Sequence, residues 1–293
     1  MKISGFTFVK DAIKYDFPIV ESIKSMLPLC DEVFVNVGIS DDGSLEAVRS
    51  IQDDKITIIE TEWDPKFKVK GRILAVQTNI PLYKCRGDWC IYLQADEVLH
   101  EEDHSRIRKS MEENLEDDRV EGLLLDYYHF FGSYDTYVSS YHWYRKEIRI
   151  IKNHLGIQSW RSAQTFRVDG RKLAVKQCPA HVYHYGWVRD PYKMADKNRY
   201  HDSLHHGDEN SETEKEDRFY YEEHIDSNMV GGFRGTHSSV MRDRIENWKY
   251  KFEPKKHKRK ITLKDIRYRI TDIIDNLTGI KIGEYRNYKL IRD

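Results

Sequence analysis

Carboxylates follow two of the predicted strands, at points where a ligand can bind. Asp41 and Asp42 lie in the turn SDDGS, directly after the apolar run EVFVNVG. Asp96 and Glu97 follow the run DWCIYLQ, within the segment LQADEVLH. Such carboxylates can accept hydrogen bonds from a ribose or a base, or bind a divalent cation that neutralises a diphosphate. The alternatives are an Asp-Gly turn with Ser44 as a helix cap, and an acidic first helical turn.

Two groups of histidines are candidate nitrogen ligands. His181 and His184 lie three residues apart in HVYHYGW. On a strand this spacing points the two side chains to opposite faces, so only one of them can bind a given ion. His184, beside the Tyr-Gly-Trp turn, is the candidate, and the alternative is a packed, hydrogen-bonded histidine. His201, His205 and His206 have helical HxxxH-type spacing without the glutamate of a zinc site, so we interpret them as a solvated helix face.

Apolar runs alternate with helical patterns over the first part of the chain. Strands are predicted at residues 2–9, 32–38, 55–60, 88–94 and 121–130. Helices are predicted at 18–26, at 44–52, from Arg72 to near Pro81, and at 101–116. Strands separated by such helices predict βαβ units, a parallel sheet and an α/β fold. Because ligands bind at the carboxyl ends of these strands, the turns after the second and fourth strands are the predicted site.

The pattern changes after residue 131. Aromatic residues crowd the segment 127–144, and further strands are predicted at 145–153 and 181–187. Polar helical patterns then follow at 190–206, 212–226, 237–250 and 262–277. These features predict a first domain over residues 1–190 and a helical C-terminal extension over 191–293.

Composition limits the classes of partner. The 293 residues carry a formal net charge of -1, so no overall field favours nucleic acid. Cys85 and Cys90 do not form a zinc-type CxxC, and we expect free thiols in a reducing compartment. No signal peptide and no run of about 18 apolar residues is evident, so we expect a cytoplasmic protein. The basic block 249–260 has two interpretations, a peripheral contact with the inner membrane face or a solvated linker.

The order of four motifs resembles glycosyltransferase family 2. The motifs are FTFVKDA (6–12), SDDGS (40–44), GRILAVQTN (71–79) and LQADE (93–97), and the resemblance covers residues 3–190. It implies a GT-A, Rossmann-like, mostly parallel sheet flanked by helices. It also implies a nucleotide-sugar half at about 1–100, an acceptor half at about 101–190, and a divalent cation, Mn²⁺ or Mg²⁺.

The resemblance assigns roles to individual positions. Asp96 and His184 are the implied metal ligands. Gln94 stands where the DxD motif of the family has its first aspartate, and it brings no charge, which leaves Asp96 and Glu97 for the cation. The implied donor-binding residues are Phe8, Lys10, Asp41, Asp42, Arg72, Gln94 and Asp96.

The resemblance further implies inversion at the anomeric carbon, which requires one general base. Where similar sequences read His-Glu before a short strand, this chain reads Ala163-Gln164, and glutamine is no base. Asp126 and Glu147 are the base candidates, each with a surface-acid alternative. Among the aromatic residues of 127–144, Tyr134 and Trp143 are candidates for stacking on an acceptor sugar, the alternative being packing under a loop.

These expectations combine into one function with two alternatives. We predict a hexosyltransferase that moves a sugar from a nucleotide-sugar, UDP-linked donor to a glycan or lipid-linked acceptor in surface polysaccharide biosynthesis. The first alternative is a sugar-phosphate nucleotidyltransferase, although no Gly-rich phosphate loop follows the first strand. The second is a catalytically inactive nucleotide-binding relative whose metal site was lost through Gln94.

Overall fold

The computed structural model describes most of the chain. The described residues are 1–140, 143–207, 217–226, 229–253, 262–278, 282 and 286–292. Part of the helix predicted at 212–226 and much of the basic block 249–260 lie outside the described residues.

The first four strands form a parallel sheet in the order β3-β2-β1-β4. Every residue of β1 is buried, as expected for a strand covered on both faces. The α/β class predicted from the alternation of strands and helices is confirmed. The strands are β1 (Ile3–Val9), β2 (Glu32–Gly38), β3 (Ile56–Thr61) and β4 (Trp89–Tyr92).

Three helices connect these strands. They are α1 (Ile19–Met26), α2 (Ser44–Arg49) and α3 (Arg72–Leu82). Ile19, Ile23 and Met26 of α1 lie on one helical face and are buried in the core. Pro81 occupies the last turn of α3, where it leaves one helical hydrogen bond unmade, and the helix ends at Leu82.

The sheet becomes mixed beyond β4. β8 lies antiparallel between β4 and β6, whereas the long β12 pairs parallel with β6 and antiparallel with β5. The sheet is therefore less parallel than predicted. The elements are β5 (Glu97–Leu99), α4 (His104–Glu113), β6 (Gly122–Phe131), β7 (Thr136–Val138), β8 (Lys146–Lys152) and β12 (Ala174–Trp187).

A small three-stranded sheet covers part of the central one. Its strands are β9 (Gln158–Trp160), β10 (Thr165–Val168) and β11 (Arg171–Lys172). Phe166 of β10 packs edge-on against Tyr92, with ring centroids 5.4 Å apart. This contact fixes the segment before β10 beside the end of β4.

The region after residue 190 contains strands as well as helices. β14 pairs parallel with β12, and β13 pairs antiparallel with β7, so this region also extends the sheet. The helix predicted at 237–250 is shorter than expected, because α7 spans only Arg242–Glu246. The elements are α5 (Pro191–His206), α6 (Tyr221–His224), β13 (Val230–Gly232), α7 (Arg242–Glu246), α8 (Leu263–Thr278) and β14 (Lys289–Leu290).

Within the described ranges, no helix combines the length and the apolar character needed to cross a bilayer. The four cysteines are buried free thiols, as the sequence predicted.

Candidate functional site

A cavity of about 370 Å³ lies at the carboxyl ends of the first, third and fourth strands, beneath α5. Strand ends and the segments that follow them supply one wall, and α5 supplies the opposite wall. Parallel strands direct their carboxyl ends to one edge, which explains why distant motifs meet here. The lining residues that matter most are Phe8, Lys10, Trp63, Gln94, Asp96, His184 and Lys197.

Asp96 is the buried carboxylate of this cavity. Its backbone carbonyl accepts a hydrogen bond of 2.8 Å from the Tyr185 amide of β12, which ties the turn after β4 to that strand. Its carboxylate oxygens lie 3.8 Å from His184 Nε2, 3.7 Å from the Arg189 guanidinium and 3.9 Å from Lys197 Nζ. Burial by itself would raise the pKa of Asp96, but these basic neighbours outweigh burial and lower that pKa.

The hydrogen bonds of His129 define the tautomer of His184. His129 Nε2 lies 2.6 Å from the Tyr144 carbonyl oxygen, so it must donate, and its Nδ1 is then an acceptor. His184 Nδ1 lies 2.9 Å from His129 Nδ1 and therefore donates to it. Burial lowers the pKa of His129 to about 3 and that of His184 to about 4, so both rings are neutral at pH 7.

His184 Nε2 consequently presents a lone pair to a carboxylate. With Nδ1 carrying the proton, Nε2 of the neutral ring has none, and it faces Asp96 Oδ1 at 3.8 Å. A cation that contacts both of these electron-rich atoms would relieve their mutual repulsion. A histidine whose other nitrogen donates a hydrogen bond is also the usual form of a metal ligand.

Gly186 keeps the space beside these two groups open. A β-carbon at this position would lie 2.4 Å from His184 Nε2 and 3.0 Å from Asp96 Oδ2. Any other residue would therefore fill the space in which a cation could contact both side chains. The sequence drew attention to the Tyr-Gly-Trp turn but not to this role of Gly186.

The two protein ligands, Asp96 and His184, fit a cation that is also coordinated by phosphate oxygens. In the described part of the chain, no group of three or more His, Cys, Asp and Glu side chains could hold an ion by itself. Mg²⁺ and Mn²⁺ commonly take one or two protein ligands and complete their coordination with phosphate oxygens and water. Asp96 and His184 are the two protein ligands that this arrangement provides.

Lys197 and Arg189 add positive charge beside Asp96, and the sequence did not indicate either. Lys197 of α5 lines the cavity and donates a hydrogen bond of 2.8 Å to the Gly186 carbonyl. Burial, together with the charge of Arg189, lowers the pKa of Lys197 to about 7. Arg189 is fully buried, and one of its terminal nitrogens has no hydrogen-bond partner. Neither residue belongs to a recognisable motif, because α5 and the turn before it have an ordinary polar sequence.

Glu97, which was predicted as a second carboxylate ligand for a cation, instead forms an ion pair with Arg149. Its two oxygens accept hydrogen bonds of 2.7 and 2.8 Å from the Arg149 guanidinium. The Tyr127 hydroxyl donates another of 2.9 Å, and the side chain is fully buried. This ion pair leaves Asp96 as the carboxylate that faces the cavity.

Three of the predicted donor-binding residues line the cavity in addition to Asp96. Gln94 does so while its amide donates to the Ala163 carbonyl at 3.3 Å. Phe8 and Lys10 lie at the end of β1, and Lys10 Nζ is 5.8 Å from the centroid of the Trp63 ring. Trp63, which was not among the predicted site residues, packs beside Phe8 with ring centroids 6.0 Å apart.

The acidic turn after β2 lies outside the cavity lining. Asp42 accepts hydrogen bonds of 2.9 Å from the backbone amides of Ile13 and Lys14, and its other oxygen accepts from Ser44. It thus holds the loop after β1. Ser44 is the first residue of α2 and not its cap, since Gly43 occupies that position. Asp41 is exposed.

Arg72 also lies outside the cavity lining. It begins α3, is exposed, and its guanidinium lies 5.4 Å from the centroid of the Phe67 ring. The structure therefore does not bring Asp41, Asp42 or Arg72 together with Asp96.

The two base candidates occupy different environments. Asp126 lies on the surface side of the sheet, 2.9 Å from Lys146 Nζ, and does not line the cavity. Glu147 is buried, and its Oε1 accepts a hydrogen bond of 3.2 Å from Gln164, which does line the cavity. Burial raises the pKa of Glu147 to about 7, and its Oε2 has no hydrogen-bond partner.

The predicted acceptor aromatics are packed rather than presented to the cavity. Tyr134 is buried, with its ring centroid 5.5 Å from those of Tyr185 and Trp248. Trp143 contacts Trp187, with ring centroids 5.4 Å apart. Trp187, unlike the two predicted residues, lines the cavity.

The α5 histidines are exposed only in part. His201 is exposed and His205 is half-buried, and both line the cavity, with ring centroids 4.7 Å apart. His206 is exposed and lies outside the lining. The helical spacing alone could not reveal this, because it does not say which face of α5 covers the sheet.

No known protein-family profile matches the chain, and no curated protein matches it either. Among solved structures it is similar to TarS of S. aureus, with 14% identity, a TM-score of 0.39, and coverage of 68% of this chain and 39% of that one. TarS 1-349 in complex with UDP shows 13% identity and a TM-score of 0.38, covering 70% and 65%.

A third similar structure is glucosyl-3-phosphoglycerate synthase from Mycobacterium tuberculosis in complex with Mn²⁺, UDP and phosphoglyceric acid. It shows 16% identity and a TM-score of 0.30, covering 44% of this chain and 43% of that one. The chain thus spans less than two thirds of each of these proteins.

Proposed function

We propose that this protein is a glycosyltransferase that uses a nucleotide-sugar donor, most simply a UDP-sugar. The observation that carries the proposal is the buried pair formed by Asp96 and His184, whose facing electron pairs call for a cation. Gly186 leaves room for that cation, and the pair lies at the carboxyl edge of a parallel sheet, where nucleotides bind in α/β folds.

Different residues of the cavity are proposed to bind the nucleoside and the diphosphate of the donor. Phe8, Lys10 and Trp63 are proposed to hold the nucleoside, because they form an apolar and cationic surface at the ends of β1 and β3. Asp96 and His184 would hold a divalent cation, which supplies charge neutralisation to the diphosphate. Lys197 donates hydrogen bonds to the same phosphates from the opposite wall.

The transfer step requires one bond to form and one to break. The acceptor hydroxyl oxygen attacks the anomeric carbon, and the bond from that carbon to the phosphate oxygen breaks, leaving its electron pair on the nucleoside diphosphate. The hydroxyl proton passes to a general base. Of the two base candidates, Glu147 is favoured over Asp126, because only Glu147 contacts a residue of the cavity wall.

The finer assignments follow the sequence resemblance. We propose inversion at the anomeric carbon, a glycan or lipid-linked acceptor, and a role in surface polysaccharide biosynthesis. Donor-binding roles for Asp41, Asp42 and Arg72 stay predictions, as do acceptor contacts by Tyr134 and Trp143. Trp187 is the aromatic residue that the cavity offers to an acceptor sugar.

Calorimetry with UDP in the presence and absence of Mn²⁺ tests the proposal. We expect UDP to bind more tightly with Mn²⁺, and Asp96→Asn to abolish that difference while the surface control Asp126→Asn retains it. Slow release of UDP from a UDP-sugar without acceptor would add support. Failure of every nucleoside diphosphate to bind would refute the proposal, and release of pyrophosphate from a nucleoside triphosphate and a sugar phosphate would replace it with nucleotidyl transfer.

A further inference from the structure

The segment that leads into β14 reaches the buried carboxyl group of Glu147. Asn287, two residues before β14, donates a hydrogen bond of 3.1 Å from its Nδ2 to Glu147 Oε1. The same oxygen accepts the hydrogen bond of 3.2 Å from Gln164 Nε2. A residue 140 positions later in the chain thus contacts the side chain that is favoured as the general base. From the sequence, this residue belongs to the C-terminal extension and not to the predicted catalytic domain.

The backbone on both sides of Asn287 is fixed by hydrogen bonds. The carbonyl oxygen of Asn287 accepts one of 3.0 Å from the guanidinium of Arg167 in β10. The Lys289 amide donates one of 2.8 Å to the Leu173 carbonyl, and β14 pairs in parallel with β12. These bonds attach the segment to both sheets, so the side chain of Asn287 starts from a defined position beside Glu147.

The guanidinium of Arg167 also determines which way the Asn287 amide faces. One of its terminal nitrogens lies 3.5 Å from Asn287 Oδ1. A guanidinium can only donate hydrogen bonds, so the amide oxygen faces Arg167 and the amide nitrogen faces Glu147. That nitrogen can only donate in its turn. The Glu147 oxygen in front of it must therefore be an acceptor.

The two carboxyl oxygens of Glu147 are consequently unequal. Oε1 accepts from two amide nitrogens, which occupy its two lone pairs. Oε2 is buried and, among the residues that the structure describes, has no hydrogen-bond partner. A proton that arrives at this carboxyl group therefore binds at Oε2. A catalytic role is one reason for which a folded protein retains a buried polar atom without a partner.

We propose that Asn287 is a positioning residue, which holds the Glu147 carboxyl group so that Oε2 is free to accept the proton of the acceptor hydroxyl. The inference rests on the proposed function, in which Glu147 is the general base. In the transfer step the hydroxyl proton moves to Oε2 as the hydroxyl oxygen bonds to the anomeric carbon. The bond from that carbon to the phosphate oxygen breaks, and its electron pair leaves with the nucleoside diphosphate. The C-terminal strand then completes the catalytic site.

The groups around Glu147 give the direction of the effect. Burial raises the pKa of Glu147 to about 7, and Glu97 raises it further, whereas the charge of Arg149 and the hydrogen bond from Asn287 lower it. Its other titratable neighbours are neutral tyrosines, Tyr127 and Tyr144. Removing the amide donor of Asn287 therefore raises the pKa of Glu147, and the base is protonated up to a higher pH.

Two substitutions of Asn287 separate positioning from packing. Asn287→Asp keeps an oxygen in front of Arg167 but replaces the N–H donor by a second carboxylate oxygen, whereas Asn287→Leu removes both contacts. We expect the titration midpoint of Glu147 to rise by about one pH unit in Asn287→Leu, because a hydrogen bond to the carboxylate is lost. It should rise further in Asn287→Asp, because a like charge is added. A role in packing alone would make Asn287→Leu the more affected variant.

Two measurements follow these variants. An NMR titration with isotope-labelled glutamate, assigned with Glu147→Gln, gives the midpoint of Glu147 without any activity. The acid limb of the pH profile of kcat for sugar transfer should move by the same amount, with the KM for the donor unchanged. The control Lys289→Met changes an exposed side chain of β14 and should alter neither quantity. Asn287→Asp keeps the shape of the side chain and serves where Asn287→Leu does not fold.

The outcomes keep this proposal apart from the proposed function. An unchanged midpoint of Glu147 in the Asn287 variants would overturn the positioning role, as would an acid limb that stays in place while the midpoint moves. Failure of the unmodified protein to bind any nucleoside diphosphate would instead refute the donor site, which does not include Asn287.

Discussion

Replacing Gly186 by alanine tests the proposed cation site most directly, because it adds one methyl group and removes no polar atom. The new β-carbon would lie 2.4 Å from His184 Nε2. That distance is about 1 Å shorter than an ordinary contact, so the imidazole must move by about that amount. Metal ligands tolerate displacements of only about 0.2 Å. His184 should therefore be lost as a ligand.

The expected result is a selective loss of cation binding. Affinity for Mn²⁺ in the presence of UDP should fall roughly tenfold to a hundredfold, whereas UDP without Mn²⁺ should bind nearly as before. Overpacking should cost about 1–3 kcal/mol of the free energy of unfolding. Calorimetry and thermal unfolding measure both quantities.

A matched control separates the cation site from a general effect of alanine. Gly232 lies in β13, and a β-carbon there would meet no atom within 4 Å. Gly232→Ala should leave Mn²⁺ binding and stability unchanged. If Gly186→Ala binds Mn²⁺ and UDP as the unmodified protein does, no cation lies between Asp96 and His184, and the geometric reasoning is wrong.

The other predictions concern Lys197 and Glu147. Lys197→Met should weaken UDP binding by about 2 kcal/mol, roughly thirtyfold, without changing uridine binding, because a charged hydrogen bond to phosphate is lost. Lys193→Met, an exposed lysine one turn earlier on α5, should change neither affinity; equal loss in both variants would contradict the role of Lys197. The pKa of Glu147 is raised from 4.5 to about 7, so the folded state binds the proton more tightly than the unfolded chain. That stabilisation is present below pH 4.5 and is lost as pH rises through about 7. The unfolding temperature of Glu147→Gln should therefore rise relative to that of the unmodified protein between pH 5 and pH 8, and parallel curves would contradict the raised pKa of Glu147.

Some site residues can be found from the sequence because their positions are local. Asp96 follows an apolar run, and Phe8 and Lys10 lie at the end of another. In a parallel sheet the end of each strand lies at one edge, so the strand pattern is enough to bring these residues to a common cleft. The structure accordingly places all of them in the cavity lining.

The roles of Asp42 and Glu97 were ambiguous in the sequence, because a carboxylate can either bind a ligand or stabilise the fold. Asp42 looks the same in sequence whether it contacts a ligand or holds a loop. One of its carboxylate oxygens, Oδ2, accepts hydrogen bonds from the amides of Ile13 and Lys14, 29 and 28 residues earlier in the chain. Glu97 is likewise occupied by Arg149, 52 residues away. Neither partner can be recognised from the residues around the carboxylate.

Local residue patterns were enough to predict β1 to β4, the turns after β2 and β4, and the position of Asp96 at a strand end, because apolar periodicity and turn chemistry act between near neighbours. The surroundings of Asp96 depend instead on segments that lie far along the chain. His184 and Gly186 come from β12, and Lys197 comes from α5, about 90 to 100 residues later. Hydrogen bonds and close charge contacts depend on separations of about 3–4 Å in space, and local residue patterns do not encode which distant segments reach that separation.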